Sequence, residues 1–69
     1  MEQLTDRELE VFRLIGAGLS TRRIAKELQL RMHTVQAYRE FIKAKLNLRD
    51  STELAQHACH WTYWWLEID

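Results

Sequence analysis

Apolar residues in this chain recur three and four positions apart, and each such stretch opens on a residue suited to starting a helix. Thr5 followed by Glu8 has the form of a capping box, with Leu4 and Leu9 at hydrophobic-staple spacing around it. Leu9, Val11, Phe12, Leu14 and Ile15 then supply an apolar face, which Gly16-Ala17-Gly18 stops. Ser20 is the next N-cap, with Leu19 and Ile24 again at staple spacing, and Ile24, Ala25 and Leu28 face inward on a short helix. After Gln29-Leu30 a third stripe runs through Val35, Tyr38, Ile42 and Leu46. It ends at Asn47, which tolerates a left-handed backbone, and Leu48 can pack back on the helix end. Asp50 or Ser51 caps a fourth stretch through Leu54, Ala58, Trp61 and Trp65. No segment alternates with period two for long enough to make a strand. The pattern predicts an all-α fold, a four-helix bundle with helices over about 5–16, 20–28, 32–46 and 51–65. The second and third helices, joined by a tight turn, have the order of a helix-turn-helix.

Size and charge sharpen this picture. Sixty-nine residues make a single domain, residues 1–69, and a chain that short buries only about 60% of its unfolded surface. The one cysteine, Cys59, permits no internal disulfide, so helix packing carries the stability. The formal charge is zero, but it is unevenly spread. Residues 20–49 carry eight Lys or Arg against Glu27 and Glu40, a net of +6, while residues 1–19 and 50–69 are acidic. A basic block of this kind suits a phosphate-binding surface. No run is long enough to span a bilayer, and MEQLTDRELE has no signal-peptide core, so the expected setting is the cytoplasm.

Other chemistry finds little support. His57 and His60 share a helix face, but Cys59 points elsewhere and no second Cys pair or neighbouring carboxylate completes a metal site. Nothing supplies a nucleophile with its base, a carboxylate pair, or a Gly-rich phosphate loop. No enzyme activity, cofactor or metal is expected.

Three blocks, LTDRELEVFRLIGAGLSTRRIAKEL, HTVQAYREFIKAKL and NLRDSTELAQHA, resemble the DNA-binding effector domain of LuxR/FixJ/NarL-type bacterial transcription regulators, the GerE-like fold. They follow the family's order and spacing from Leu4 to Trp61. The resemblance implies double-stranded DNA as partner, dimers formed through the last helix, and the third helix as the element that reads the major groove. Most members carry a sensor domain upstream; none lies within these residues, which reads as an excised effector domain or a stand-alone regulator. Aligned on Thr34-Val35, the resemblance puts Gln36, Ala37 and Glu40 against bases, and the helical wheel independently sets His33, Gln36, Ala37 and Glu40 opposite the apolar stripe. Gln36 suits adenine, Glu40 the cytosine amino group, and Ala37 a thymine methyl. Arg22, Arg23, Arg31, Thr34 and Lys43 are expected on phosphates, adding affinity without sequence information.

The chain departs from the family at several places. Arg31 stands where a Ser usually caps the third helix, Met32 is bulkier than usual, and Phe41 lies about 120° round the helix from the core stripe. In HWTYWWLEID, Trp61 and Trp65 continue the core stripe, whereas Tyr63 and Trp64 lie off it, with Gln56 and His60 near Tyr63. Gln56, His60, Tyr63 and Trp64 are therefore the expected surface of a two-fold homodimer. The same departures leave a second reading open, an interaction or engineered self-associating scaffold built on this fold, with weak or no DNA binding.

Overall fold

A computed structural model describes the backbone of residues 4–68 and the side chains of residues 4–61. It contains α1 (Asp6–Gly16), α2 (Thr21–Leu28), α3 (Met32–Leu46) and α4 (Ser51–Ile68), with no strand among the described residues. The helix order and type follow the apolar pattern. Only the last helix differs appreciably, running to Ile68 rather than to about residue 65. Neither Gly nor Pro interrupts Trp65-Leu66-Glu67-Ile68, so nothing there stops it.

The caps are built as the side chains require. Thr5 Oγ1 accepts from the Glu8 N–H at 3.2 Å and Glu8 Oε1 accepts from the Thr5 N–H at 2.8 Å, a closed capping box. Ser20 Oγ accepts from the Arg23 N–H at 3.2 Å. Of the two candidate caps on α4, Asp50 takes the role: its Oδ1 accepts from the Glu53 N–H at 2.9 Å, while Glu53 Oε1 reaches back to the Arg49 N–H at 2.8 Å.

All three chain reversals use one device. Gly18, Gln29 and Asn47 have φ of 92°, 57° and 58°, and each is followed by a leucine. The N–H groups of Leu19, Leu30 and Leu48 donate to the carbonyls of Leu14, Ala25 and Lys43 at 3.1, 2.8 and 2.8 Å, five residues back. Those of Gly18, Gln29 and Asn47 donate three residues back, to Ile15, Lys26 and Ala44. This is the Schellman arrangement, in which the turn satisfies the last carbonyls of the helix. Leu19, Leu30 and Leu48 are each half-buried against the core.

That core comprises Val11, Phe12 and Ile15 of α1, Ile24 and Ala25 of α2, Val35 and Ile42 of α3, and Leu54 and Ala58 of α4. α1 packs against each of the other three helices. The Phe12 ring meets Trp61 with centroids 5.6 Å apart and His57 at 6.3 Å, tying the middle of α4 to α1. Glu8 is the only charged side chain in the described core. Its Oε1 also receives Lys45 Nζ at 2.7 Å, which joins the start of α1 to the end of α3. The hydrogen bond from Lys45 outweighs the opposing effect of burial, and with the Thr5 N–H it holds the Glu8 carboxyl below its ordinary pKa.

Three tests follow from these turns and contacts. A non-Gly residue in the left-handed region costs about 1–2 kcal/mol, part of which is offset by the entropy a glycine loses on folding. Gln29→Gly is therefore expected to stabilise the domain by about 0.5–1 kcal/mol in urea unfolding. Gly18→Ala should destabilise it by about 1 kcal/mol through backbone strain alone, since nothing lies within 4 Å of the added Cβ. Because the Glu8 pKa is depressed, its stabilising contribution is present above the unfolded carboxylate pKa of about 4.3 and is lost as pH falls through the folded value. Lys45→Met should thus cost about 1–2 kcal/mol at neutral pH, with the urea midpoints of variant and parent converging below about pH 4.

Candidate nucleic-acid interface

α3 buries Val35 and Ile42, half-buries Tyr38 and Leu46, and turns its opposite side to solvent. His33, Gln36, Ala37 and Glu40 are all exposed there. They line one shallow, open depression of about 440 Å³, completed by Thr21 from the first turn of α2, Arg39 of α3, and Ser51 at the start of α4. Sequence reasoning assigned no DNA contact to Thr21, Arg39 or Ser51. Arg39 was visible only as part of the basic block, because on the wheel it sits next to the core stripe. Thr21 and Ser51 come from helices whose approach to α3 is tertiary.

Arg22 and Arg23, both exposed, lie on another open surface, which also carries Ser20, Lys26 and Glu27 and is completed by Leu14, Gly18 and Leu19. Lys26 is a further cation there without an assigned role. Arg23 Nε is 3.4 Å from Glu27 Oε1, one turn along the helix. Arg31 is exposed at the head of α3 and makes no side-chain cap bond. Its own carbonyl takes the place of the missing cap by accepting the Thr34 N–H at 3.0 Å, which tightens the first turn. The Thr34 side chain is half-buried on the far flank of α3.

Glu40 and Lys43, expected to meet different parts of DNA, are bonded to each other: Lys43 Nζ lies 2.7 Å from Glu40 Oε2. The Lys43 side chain is only 15% exposed and that of Glu40 69%, so the pair has a buried stem and an open end. Met32 and Phe41 are displayed, at 46% and 53% exposure. The Phe41 ring is held edge-on to Tyr38 with centroids 6.4 Å apart. On α4, Gln56, Cys59 and His60 face solvent; the side chains of Tyr63, Trp64 and Trp65 lie outside the described residues. No three His, Cys, Asp or Glu side chains among the described residues converge as a metal site would need. None of the described helices is long and apolar enough to cross a membrane.

A short helix, a three-residue turn that opens on left-handed Gln29 and a longer helix with an exposed polar back form a helix-turn-helix, and residues 2–58 match the family of bacterial regulatory proteins of luxR type, GerE. The chain belongs to this family. Its relatives include the oxygen regulatory protein NreC of Staphylococcus carnosus, 40% identical over 55 residues, which are 80% of this chain and 25% of that protein. NreC of Staphylococcus epidermidis is also 40% identical, and NreC of Staphylococcus aureus 38%, over the same shares. The chain thus spans about a quarter of the length of the curated relatives it matches. No solved structure matches it. The all-α fold with its four helices is the LuxR-type helix-turn-helix DNA-binding domain of a bacterial transcription regulator, a family of regulators and not of enzymes.

The uncapped head of α3 gives a further test. Serine at an N-cap stabilises by about 0.5–2 kcal/mol, and a cation there opposes the helix dipole. Because the Thr34 N–H is already partly satisfied, Arg31→Ser is expected to raise stability by only about 0.5–1 kcal/mol in urea unfolding. The same change should weaken binding to any DNA duplex if Arg31 meets a phosphate.

Proposed function

We propose that this domain reads a specific DNA sequence with the outer face of α3 in the major groove, and that it does so as a homodimer paired through α4. The observation that carries the reading is the single depression that gathers His33, Gln36, Ala37 and Glu40 together with the cation Arg39. In this reading Gln36 bonds the N6 and N7 edge of adenine, Glu40 accepts from the cytosine amino group and Ala37 touches a thymine methyl. Arg22, Arg23, Arg31 and Thr34 hold phosphates in this reading. Exposed Gln56 and His60, continuing along α4 to Tyr63 and Trp64, supply the two-fold contact. Such a dimer presents its two α3 helices to half-sites related by the same symmetry. Its place of work is the cytoplasm, where the bacterial chromosome lies.

A second reading has its own observation: Met32 and Phe41 are large, apolar and displayed, one on each flank of the reading face. A protein-interaction module would use them as anchors, and its association would be insensitive to salt.

Titration with mixed-sequence duplex at two ionic strengths, beside a sedimentation mass at high micromolar concentration, separates the two. The DNA reading expects a dimer mass and retention that falls steeply as salt rises. Gln36→Ala should then remove about 1–3 kcal/mol of discrimination at one base position and leave the others unchanged. Salt-insensitive association with no retained duplex overturns the DNA reading, and a monomer at every concentration overturns the dimer.

A further inference from the structure

The Glu40–Lys43 pair is unlike an ordinary ion pair on a helix surface. Two exposed side chains one turn apart gain little, because both must be ordered to meet. Here Lys43 is already ordered, its stem covered by the protein and its side chain 15% exposed. The ammonium is therefore a fixed point, 2.7 Å from one oxygen of a carboxylate that is otherwise open to solvent. Glu40 Oε1 has no partner among the described residues. A carboxylate accepts hydrogen bonds and donates none. In the major groove it is met by the amino groups of cytosine or adenine, and it is repelled by the acceptors of guanine and thymine.

We propose that Glu40 and Lys43 act as one selectivity unit. Lys43 positions the Glu40 carboxylate for a base amino group instead of meeting a phosphate, and Glu40 withholds the Lys43 cation from indiscriminate phosphate binding. The proposal rests on the DNA-binding reading above. It replaces the phosphate role that the sequence suggests for Lys43 with a positioning role. A duplex presenting cytosine at this point gives the free oxygen its donor. A duplex presenting guanine or thymine leaves a carboxylate desolvated and opposed by an acceptor, so the unit selects partly by rejection.

The test is a double-mutant cycle on the whole domain, with Glu40→Gln, Lys43→Met and the double variant. Each is titrated with mixed-sequence duplex and with the duplex that the parent recovers from a randomised pool. Glu40→Gln should release Lys43 to a phosphate. One added phosphate contact makes affinity fall about threefold more steeply than the parent's between 50 and 200 mM salt, per bound protomer. Base choice at the Glu40 position should broaden. Lys43→Met should broaden the same position while leaving the salt dependence of the parent unchanged, and when combined with Glu40→Gln it should abolish the added salt dependence. The proposal is overturned if Lys43→Met alone flattens the salt dependence, since that marks a direct phosphate contact. It is equally overturned if Glu40→Gln leaves salt dependence and base choice as they were. Failure of the underlying DNA reading looks different: the folded parent, checked by its helical circular dichroism, then retains no duplex even at 50 mM salt.

Discussion

Three times the chain sets a left-handed residue directly before a leucine: Gly18-Leu19, Gln29-Leu30 and Asn47-Leu48. Each pair closes the carbonyl end of one helix and plants a side chain against the common core. In a chain of 69 residues this economy matters, because a core this thin cannot spare apolar residues for loops. The turn leucines are thus part of the core as well as its connections. Their hydrogen bonds fix where each helix stops, and that in turn fixes which residues of the next helix face inward. The placement of α3 follows from the second and third of these turns together.

α3 is held at both ends and free along one side. At its start, Leu30 anchors the incoming chain; at its finish, Leu48 folds back and Lys45 reaches the buried Glu8 on α1. Glu8 performs two tasks with one oxygen, closing the α1 cap and holding the far end of α3. The outer face of α3 is consequently supported by a residue on another helix that faces away from it. This is the support a recognition surface needs, since contacts set on a rigid element are placed more accurately than contacts on a loop. The one weak point is the head of α3, where Arg31 leaves the side-chain cap empty.

Local features of this fold were legible in the sequence. The Thr5-Glu8 box, the Ser20 cap, the Asn47 turn and the apolar stripes all involve residues within a few positions of each other, so spacing and residue type suffice. Gln29 was not legible as a left-handed residue, because glutamine has no intrinsic preference for that region; tertiary packing of Leu30 imposes it. Between Asp50 and Ser51 the sequence allowed either cap, and backbone geometry chose Asp50. The bond between Glu8 and Lys45 spans 37 positions, a separation at which one sequence carries no pairing signal. Glu40 and Lys43 did stand at helical pairing distance, i and i+3. Their 2.7 Å ion pair is thus a contact that this spacing can suggest. The display of Phe41 was undecidable from the wheel, which gives direction but not what neighbouring helices cover.

Pairing also changes what the basic block can do. Of its eight cations, Lys45 is engaged by Glu8, Lys43 by Glu40 and Arg23 by Glu27. Arg22, Lys26, Arg31, Arg39 and Arg49 have no ion-pair partner among the described residues. Phosphate contacts made by these five and by Arg23, whose solvent-exposed pair with Glu27 is weak, would give a salt slope of about 5.4 per protomer, short of what eight free cations would give. The protein thus uses part of its positive charge on its own architecture and on the outer face of α3. In the proposed DNA reading, fewer free cations shift the burden of recognition onto base contacts, and such a reader discriminates only when its base-facing residues are held in place. In the proposed reading Lys43 holds one of them directly, and Lys45, through Glu8, holds the helix on which all of them stand.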